Sequence, residues 1–183
     1  MTRDELISDA YLEEQRILHA APRGFGGRGD KWAEVVAELV AKHSVSSVLD
    51  YGCGQGSLAV ALAPKMAISE YDPAIPGKDL PPQEPSEMVV CTDVLEHIES
   101  EKISSVLLHL HQVTKRILFV VISLVPTNKK LSDGRQAHIL LRSEEWWRYQ
   151  LEHHGFVLSR EVRGRDPKKD AKQYAAVYKR CKK

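Results

Sequence analysis

The stretch VLDYGCGQG, residues 48–56, decides the fold of this 183-residue chain. A short apolar run, typical of a buried strand, ends at Asp50, and glycines follow at every second position from Gly52 to Gly56. The next run, SLAVAL, has the composition of a helix, so the stretch predicts a strand, a tight glycine-rich turn and a helix. In a parallel sheet such a turn lies at the carboxyl end of a strand, where α/β proteins bind ligands.

Further strands and helices alternate on the carboxyl side of this turn. The predicted elements are strands at residues 66–72, 88–93, 116–125, 156–162 and 175–180 and helices at 94–114 and 143–155. We place the last two strands at the edges of the sheet. This order predicts an α/β fold, with a doubly wound, Rossmann-like and mostly parallel sheet that carries helices on both faces.

The N-terminal residues 1–44 form a segment distinct from the α/β domain of residues 45–183. Apolar residues recur at intervals of three to five in residues 2–19, which predicts an amphipathic helix. A glycine-rich loop follows, and Asp30 is placed to cap a second helix that ends near residue 42. We expect this segment to pack on the domain, with the loop as a lid and with Tyr11 and Phe25 over the ligand.

Composition excludes several classes of protein. Lys and Arg number 26 against 25 Asp and Glu, which gives a formal net charge of +1 and no global field for nucleic acid or membrane. No apolar run approaches the ~20 residues of a membrane span. The three cysteines are far apart, and the acidic N-terminus does not resemble a secretion signal, so we expect a cytoplasmic protein.

Charge is nevertheless uneven along the chain. Residues 160–183 contain ten Lys or Arg against three Asp or Glu. Such a basic end could follow the phosphates of a nucleic acid. Alternatively, it is a solvated face whose lysines discourage pairing of an edge strand with another chain.

The spacing of the glycines and the acid before them indicate the kind of ligand. GxGxG differs from the GxGxxG of dinucleotide sites, and no Gly-Lys-Ser or Gly-Lys-Thr of a phosphate-binding loop follows. Asp50 would repel a phosphate, whereas it suits a cation such as the ammonium of an amino acid or a sulfonium. The turn therefore predicts a site for a cationic ligand.

At this point the sequence resembles the class I S-adenosylmethionine-dependent methyltransferases. VLDYGCGQG matches their first motif, which implies that this loop wraps the methionine half of the cofactor. Asp72 matches the acid that binds the two ribose hydroxyls, and CTDVLEHIE, residues 91–99, matches the motif of the family's fourth strand. The cofactor-binding residues implied are Asp50, Gly52, Cys53, Gly54, Gly56, Asp72 and Asp93.

The chain departs from the family between its second and fourth strands. The family usually has a helix, a third strand and an acid near the adenine there, whereas residues 73–85 of this chain contain five prolines. We therefore expect a sheet that is trimmed at this edge. Asp79 is the nearby acid that could contact the adenine.

Four residues are candidates for the chemistry: Asp93, Glu96, His97 and His138. They resemble a motif of metal-assisted 2′-O-methyltransferases of small RNAs and of ubiquinone-pathway O-methyltransferases, which implies that these four would hold Mg²⁺ or Mn²⁺ beside the acceptor hydroxyls. Alternatively, His97 and His138 act without metal, as catalytic bases or as contacts to the substrate. A third reading is that Glu96 and His97 only brace the helix that follows.

The resemblance implies a methyltransferase that uses S-adenosylmethionine. Because the chain is short and has no obvious substrate domain, we expect a small polar molecule as acceptor. Two alternatives stay open at this point: a methyltransferase of RNA ends, which the basic C-terminal end favours, and a non-catalytic subunit that only binds the cofactor. No membrane partner is expected.

Overall fold

A computed structural model describes residues 1–21, 25–63, 65–163 and 172–181. The strands are β1 (Val48–Tyr51), β2 (Ser69–Tyr71), β3 (Ser86–Thr92), β4 (Thr114–Ser123), β5 (Phe156–Glu161) and β6 (Gln173–Arg180). The α-helices are α1 (Arg3–Leu6), α2 (Asp9–Ala20), α3 (Ala33–His43), α4 (Ser57–Leu62), α5 (Ile103–Val113) and α6 (Glu144–His153). Two short 3-10 helices cover Gly29–Trp32 and Leu95–His97.

The six strands form one sheet in the order β2-β1-β3-β4-β6-β5. β2, β1, β3 and β4 are parallel, whereas β6 runs antiparallel to both of its neighbours. One apolar cluster packs α5 and α6 on one face of the sheet, and a second packs α3 and α4 on the other. The predicted α/β fold with a mostly parallel sheet and helices on both faces is confirmed.

One strand lies elsewhere than predicted. β6 is not at an edge, because it pairs with β4 over seven residues and with β5 on its other side. Residues 174–178 of β6 are all buried, which fits an internal position. Only β5 occupies this edge of the sheet.

The opposite edge is trimmed as predicted. β2 is the last strand there, and residues 73–85 contribute neither a strand nor a helix. The chain turns instead through a compact loop in which Asp72 N–H donates to the carbonyl of Lys78 at 2.9 Å. The carboxyl end of β2 is thereby held beside that of β1.

Two predicted helices are interrupted. The helix predicted over residues 94–114 is divided, because Ile98 adopts an extended conformation and ends the 3-10 helix that carries Glu96 and His97. The helix predicted over residues 2–19 is divided at Ser8, whose side chain caps α2 by accepting from Tyr11 N–H at 3.2 Å. The predicted cap at Asp30 is wrong: Asp30 lies inside the 3-10 helix that precedes α3.

The N-terminal helices lie across the carboxyl end of the sheet. Ser8 donates to the Glu99 carboxylate from its backbone at 2.9 Å and from its hydroxyl at 2.6 Å. Buried side chains of α2 pack against Ala74 and against Leu131 and Ala137 of the segment after β4. Among the described residues, no helix is long and apolar enough to cross a membrane.

Candidate functional site

The glycine-rich turn has a backbone that only glycine adopts without strain. Gly52, Gly54 and Gly56 have φ values of +76°, +51° and +78°. A Cβ on Gly54 would overlap the carbonyl oxygen of Gly26 and lie 2.8 Å from its Cα. A Cβ on Gly52 would overlap the side chain of Val94. The turn therefore packs closely against two other segments of the chain.

Asp72 joins the glycine-rich turn to the end of β2. Its buried carboxylate accepts hydrogen bonds from Gly54 N–H and from Ala74 N–H, each at 2.9 Å. Gly52 N–H and Cys53 N–H donate to the carbonyl of Tyr71 at 2.7 and 3.1 Å. Carboxylate lone pairs that the backbone leaves free face the cavity that Asp72 lines.

The glycine-rich loop of the N-terminal segment covers this turn. Gln55 N–H donates to the carbonyl of Gly26 at 3.1 Å, and Gly29 N–H donates to the hydroxyl of Ser57 at 2.8 Å. Lys31 forms an ion pair with Asp93 at 2.6 Å. Both side chains of that pair are more than a third exposed, where such pairs contribute about 0–1 kcal/mol, so the loop is held by weak contacts.

Two cavities meet beneath the loop, and Phe25, Gly26, Gly52, Asp93 and His97 line both of them. The first has a volume of about 90 Å³ and lies between α2 and the end of β2. The second is larger, about 460 Å³, and extends past the ends of β1, β3 and β4. The site can therefore hold two connected groups on either side of Phe25.

A cluster of Glu96, His97 and His138 forms one wall of the larger cavity. His97 Nδ1 lies 2.7 Å from the carbonyl of Ala137, and His138 Nδ1 lies 2.7 Å from that of Val125. A carbonyl only accepts, so each Nδ1 carries a proton, and in a neutral imidazole Nε2 then keeps its lone pair. The two rings are 4.8 Å apart between centroids.

Glu96 is fully buried within this cluster. Its Oε1 accepts from the backbone N–H of Ser123 at 3.0 Å, whereas its Oε2 has no hydrogen-bond partner. One ligand atom from each of Glu96, His97 and His138 can be chosen so that all three lie within 4.8 Å of one another. Two imidazoles and a carboxylate with an orphaned oxygen fit a divalent transition metal after a small contraction.

Burial sets the protonation of the site. It lowers the pKa of His97 to about 3, with His138 as a further cause, so this imidazole is neutral at neutral pH. Burial and the carboxylate of Asp93 raise the pKa of Glu96 well above its ordinary value. Burial, followed by Glu70 and Asp72, raises the pKa of Asp50 to about 7.

The structure brings most of the predicted site residues to one end of the sheet. Asp50, Gly52, Cys53 and Asp93 line the larger cavity, and Asp72 and Gly54 line the smaller one. Gly56 begins α4 below the turn. Asp93 lines both cavities and pairs with Lys31, and it is not among the three residues whose ligand atoms lie within 4.8 Å of one another.

Some residues of the site escaped the sequence analysis. Gln15 and His19 of α2 line the smaller cavity. Asp79, which the sequence analysis named, lines neither cavity, and its carboxylate accepts from Gly77 N–H at 3.2 Å. Lys31 reaches Asp93 from the opposite end of the loop. Gln15 and His19 could have been found as polar residues on the apolar side of an amphipathic helix, because they continue at intervals of four residues from Tyr11.

The same architecture occurs in solved methyltransferase structures. A magnesium protoporphyrin IX methyltransferase from Synechocystis PCC 6803 with bound SAH is 21% identical, with 97% of each chain covered and a TM-score of 0.59. An S-adenosylmethionine-dependent methyltransferase from Clostridium acetobutylicum is 13% identical, with 95% of this chain and all of that chain covered and a TM-score of 0.67. The methyltransferase domain of bacterial CtHen1-C is 13% identical, with 84% and 98% covered and a TM-score of 0.59.

These likenesses give the chain the fold of the class I S-adenosylmethionine-dependent methyltransferases, as the glycine-rich turn predicted. A family model described as a methyltransferase domain matches residues 25–164, which is more than half of the chain, and the protein belongs to that family. Comparison with curated proteins finds no match. The predicted family and fold are confirmed.

Proposed function

We propose that this protein transfers the methyl group of S-adenosylmethionine to a small polar acceptor. The observation that carries the proposal is the pair of connected cavities: one lies at Asp72, and the other contains Asp50, the glycine-rich turn and the cluster of Glu96, His97 and His138. A cofactor can thus extend past Phe25 from one cavity into the other and meet an acceptor in the larger one. S-adenosylmethionine would supply a methyl group bound to a positively charged sulfur. The acceptor atom would attack that methyl group in line with the carbon–sulfur bond and displace the sulfur.

The smaller cavity suits the nucleoside half of the cofactor, and the larger one suits its amino-acid half. Asp72 offers carboxylate oxygens to the ribose hydroxyls while its backbone hydrogen bonds fix its position. Asp50 offers a buried carboxylate to the ammonium group. Gly52 and Gly54 allow the backbone to approach the ligand because neither carries a Cβ.

The cluster at the far wall suits an acceptor hydroxyl. His97 and His138 each offer a ring nitrogen at this wall. That of His138 can take the proton that an acceptor hydroxyl loses as its oxygen–methyl bond forms, whereas that of His97, whose pKa burial lowers to about 3, suits a hydrogen bond from the acceptor. The same atoms, with Glu96, would hold a divalent metal. A metal bound there would lower the pKa of an acceptor hydroxyl.

A second candidate function is methylation of an RNA end. Exposed Arg28, Lys129 and Lys172 line the larger cavity and would attract phosphates. Much of the basic C-terminal end, residues 164–171 and 182–183, lies outside the described residues. Measuring acceptor binding against salt separates the two functions, because only a phosphate ligand should weaken steeply as salt is raised.

The protein is placed in the cytoplasm under this proposal, in keeping with its three free cysteines. The division into residues 1–44 and 45–183 stays a prediction, which expression of each part alone would test.

Calorimetric titration with S-adenosylmethionine and S-adenosylhomocysteine tests the proposal. We expect both to bind, and we expect Asp72→Asn to weaken binding by about 10- to 100-fold, since a hydrogen bond to a charged group contributes about 1.5–3 kcal/mol. Asp79→Asn in the same loop is the matched control and should bind as the unchanged protein does. If neither compound binds, the proposed function fails. Binding without transfer to any acceptor would instead favour the non-catalytic subunit.

Affinity for the cofactor should depend on pH through Asp50. Its pKa of about 7 in the free protein means that it is largely protonated below that pH, whereas an ammonium ligand needs the carboxylate. Binding must then displace a proton, so the dissociation constant should rise by up to about tenfold per unit as the pH falls below 7, and should level off above it. Titrations with S-adenosylhomocysteine between pH 5.5 and 8.5 would measure this.

Asp50→Asn should flatten that pH profile. The matched control is Asp133→Asn, whose exposed carboxylate pairs with Arg135 away from both cavities. A profile that keeps its slope in Asp50→Asn would assign the titration to another group.

A further inference from the structure

Helix α2 supplies one polar side of the smaller cavity, which Asp72, Asp93, His97 and Glu99 also line. Tyr11, Gln15 and His19 line this cavity and follow one another at intervals of four residues, so they share one face of the helix. Tyr11 is 6% exposed and Gln15 is 8% exposed. Neither the Tyr11 hydroxyl nor Gln15 Nε2 has a hydrogen-bond partner. By hydrogen-bond geometry both groups lack a partner, although the neighbouring Gln15 amide opposes the rise that burial causes in the pKa of the Tyr11 hydroxyl.

Such groups call for an explanation, because leaving a buried polar group unsatisfied costs about 1–3 kcal/mol. The third residue of the face has neighbours of its own: His19 Nδ1 lies 3.1 Å from the carbonyl of Phe25, and its Nε2 lies 3.9 Å from Asp72 Oδ2. Burial raises the pKa of Tyr11, so its hydroxyl stays neutral and can donate as well as accept. The side chains of Tyr11 and Gln15 await a ligand with a hydrogen-bonding edge.

The other walls restrict the shape of that ligand. Apolar side chains surround the cavity: Leu6, Ile7, Pro73, Ala74, Val94 and Ile98. Asp72 lies at the end of the cavity that faces the glycine-rich turn. Apolar walls, a polar edge and a carboxylate at one end together suit a flat heterocycle that is attached to a sugar.

We propose that Gln15 and Tyr11 bind the edge of the cofactor's adenine, so that helix α2 provides the base recognition that the trimmed edge of the sheet lacks. This inference rests on the proposed function. The side-chain amide of Gln15 has one donor and one acceptor group, which complement the N7 acceptor and the 6-amino donor of adenine. Residues 73–85 do not form the strand that the family usually has between its second and fourth strands, and Asp79 does not line the cavity.

The arrangement also gives the N-terminal helices a role in specificity. Ser8, the cap of α2, is tied to Glu99 of the domain by two hydrogen bonds, so the start of the helix is fixed relative to the sheet. Tyr11 and Gln15 lie one and two turns beyond that cap. Their distance from Asp72 is therefore set by the fold rather than by the ligand.

Calorimetry with two ligands tests the inference. S-adenosylhomocysteine is compared with its inosine counterpart, in which an oxygen replaces the 6-amino group. The unchanged protein should prefer the adenine compound by about tenfold or more, the effect expected of one well-made hydrogen bond to an otherwise unsatisfied group. Gln15→Leu should bind the adenine compound at least about tenfold more weakly than the unchanged protein does, and it should show no preference between the two ligands.

Two further measurements distinguish recognition from folding. Gln15→Leu removes an unsatisfied buried group, so the unfolding temperature of the free protein should stay the same or rise. Gln112→Leu makes the same substitution on an exposed position of α5 and should change neither affinity nor preference. Tyr11→Phe, which keeps the ring, is the second variant and should also bind the adenine compound more weakly.

The outcomes separate this inference from the proposed function. If the unchanged protein binds S-adenosylhomocysteine and Gln15→Leu and Tyr11→Phe retain its affinity and preference, the inference is overturned while the proposed function stands. If the unchanged protein binds neither ligand, both are overturned. Loss of the adenine preference in Gln15→Leu, at an undiminished unfolding temperature, supports it.

Discussion

Replacing Gly54 by valine should abolish binding of S-adenosylmethionine while the sheet stays folded. Gly54 has a φ of +51°, a region that a β-branched residue hardly enters, and its N–H donates to Asp72. An added Cβ would also overlap the carbonyl of Gly26. The turn, the Asp72 carboxylate and the glycine-rich loop would therefore all be displaced at the point where the two cavities meet.

The expected loss of affinity is about 100-fold or more, because several charged hydrogen bonds of about 1.5–3 kcal/mol each depend on this turn. The matched control is Gly134→Val. Gly134 has a similar positive φ of +87°, but a Cβ there meets nothing within 4 Å, and the residue lines neither cavity. Both variants carry backbone strain, while only Gly54→Val reaches the site. Calorimetry should find normal affinity in the control, and equal affinity in both would refute the site.

Gly56 should be more tolerant than Gly54. A Cβ on Gly56 would meet the ends of the Glu70 and Lys78 side chains, which are flexible, whereas the atoms that oppose Gly54 belong to the backbone. The three glycines of the turn are thus equivalent in the sequence and unequal in the structure. That difference arises from segments distant in the chain, so the motif alone could not reveal it.

The parts of the fold that depend on local sequence were predictable. The glycine-rich turn, the strand before it and the prolines at the trimmed edge each carry their signal within about ten residues of chain. The position of β6 does not, because it depends on pairing with β4, about fifty residues earlier in the chain. An apolar run such as residues 174–178 predicts a strand but does not indicate which strands pair with it in the sheet.

The site divides in the same way. Asp50 is the last residue but one of β1 and Asp72 directly follows β2, so their place at the carboxyl ends could be predicted. Gln15 and Lys31 belong to the N-terminal segment, and only its packing across the sheet brings them to the cavities. The ion pair of Asp93 comes from Lys31 of the distant N-terminal segment, which the motif of residues 91–99 does not indicate.

His138 joins the cluster from a segment 41 residues beyond His97, and two backbone carbonyls complete the arrangement. The carbonyls of Ala137 and Val125 accept hydrogen bonds from the two Nδ1–H groups, which leaves the Nε2 atoms of the neutral rings as acceptors. Under the proposed function, the cluster offers acceptor atoms beside the Glu96 oxygen that has no hydrogen-bond partner.

We expect His138→Ala to abolish binding of Mn²⁺ and to remove methyl transfer. His138 is half-buried at the cavity wall, so its loss should leave the core and the affinity for S-adenosylhomocysteine unchanged. Electron paramagnetic resonance of added Mn²⁺ measures the metal directly, without an acceptor. Transfer is measured with labelled S-adenosylmethionine and two probes with vicinal hydroxyls, a catechol and the 3′ end of a short RNA.

The control and the chelator decide between metal and base. His153→Ala removes an exposed histidine of α6 and should bind Mn²⁺ and transfer methyl groups as the unchanged protein does. With a metal at Glu96, His97 and His138, excess EDTA should stop transfer in the unchanged protein. Full activity in EDTA, together with a loss of about 10²–10⁴-fold in His138→Ala, would make the imidazole a general base. Equal activity in His138→Ala and His153→Ala would show that His138 takes no part in the chemistry. The acceptor hydroxyl would then need neither a metal nor a base at this wall and would lie elsewhere in the larger cavity.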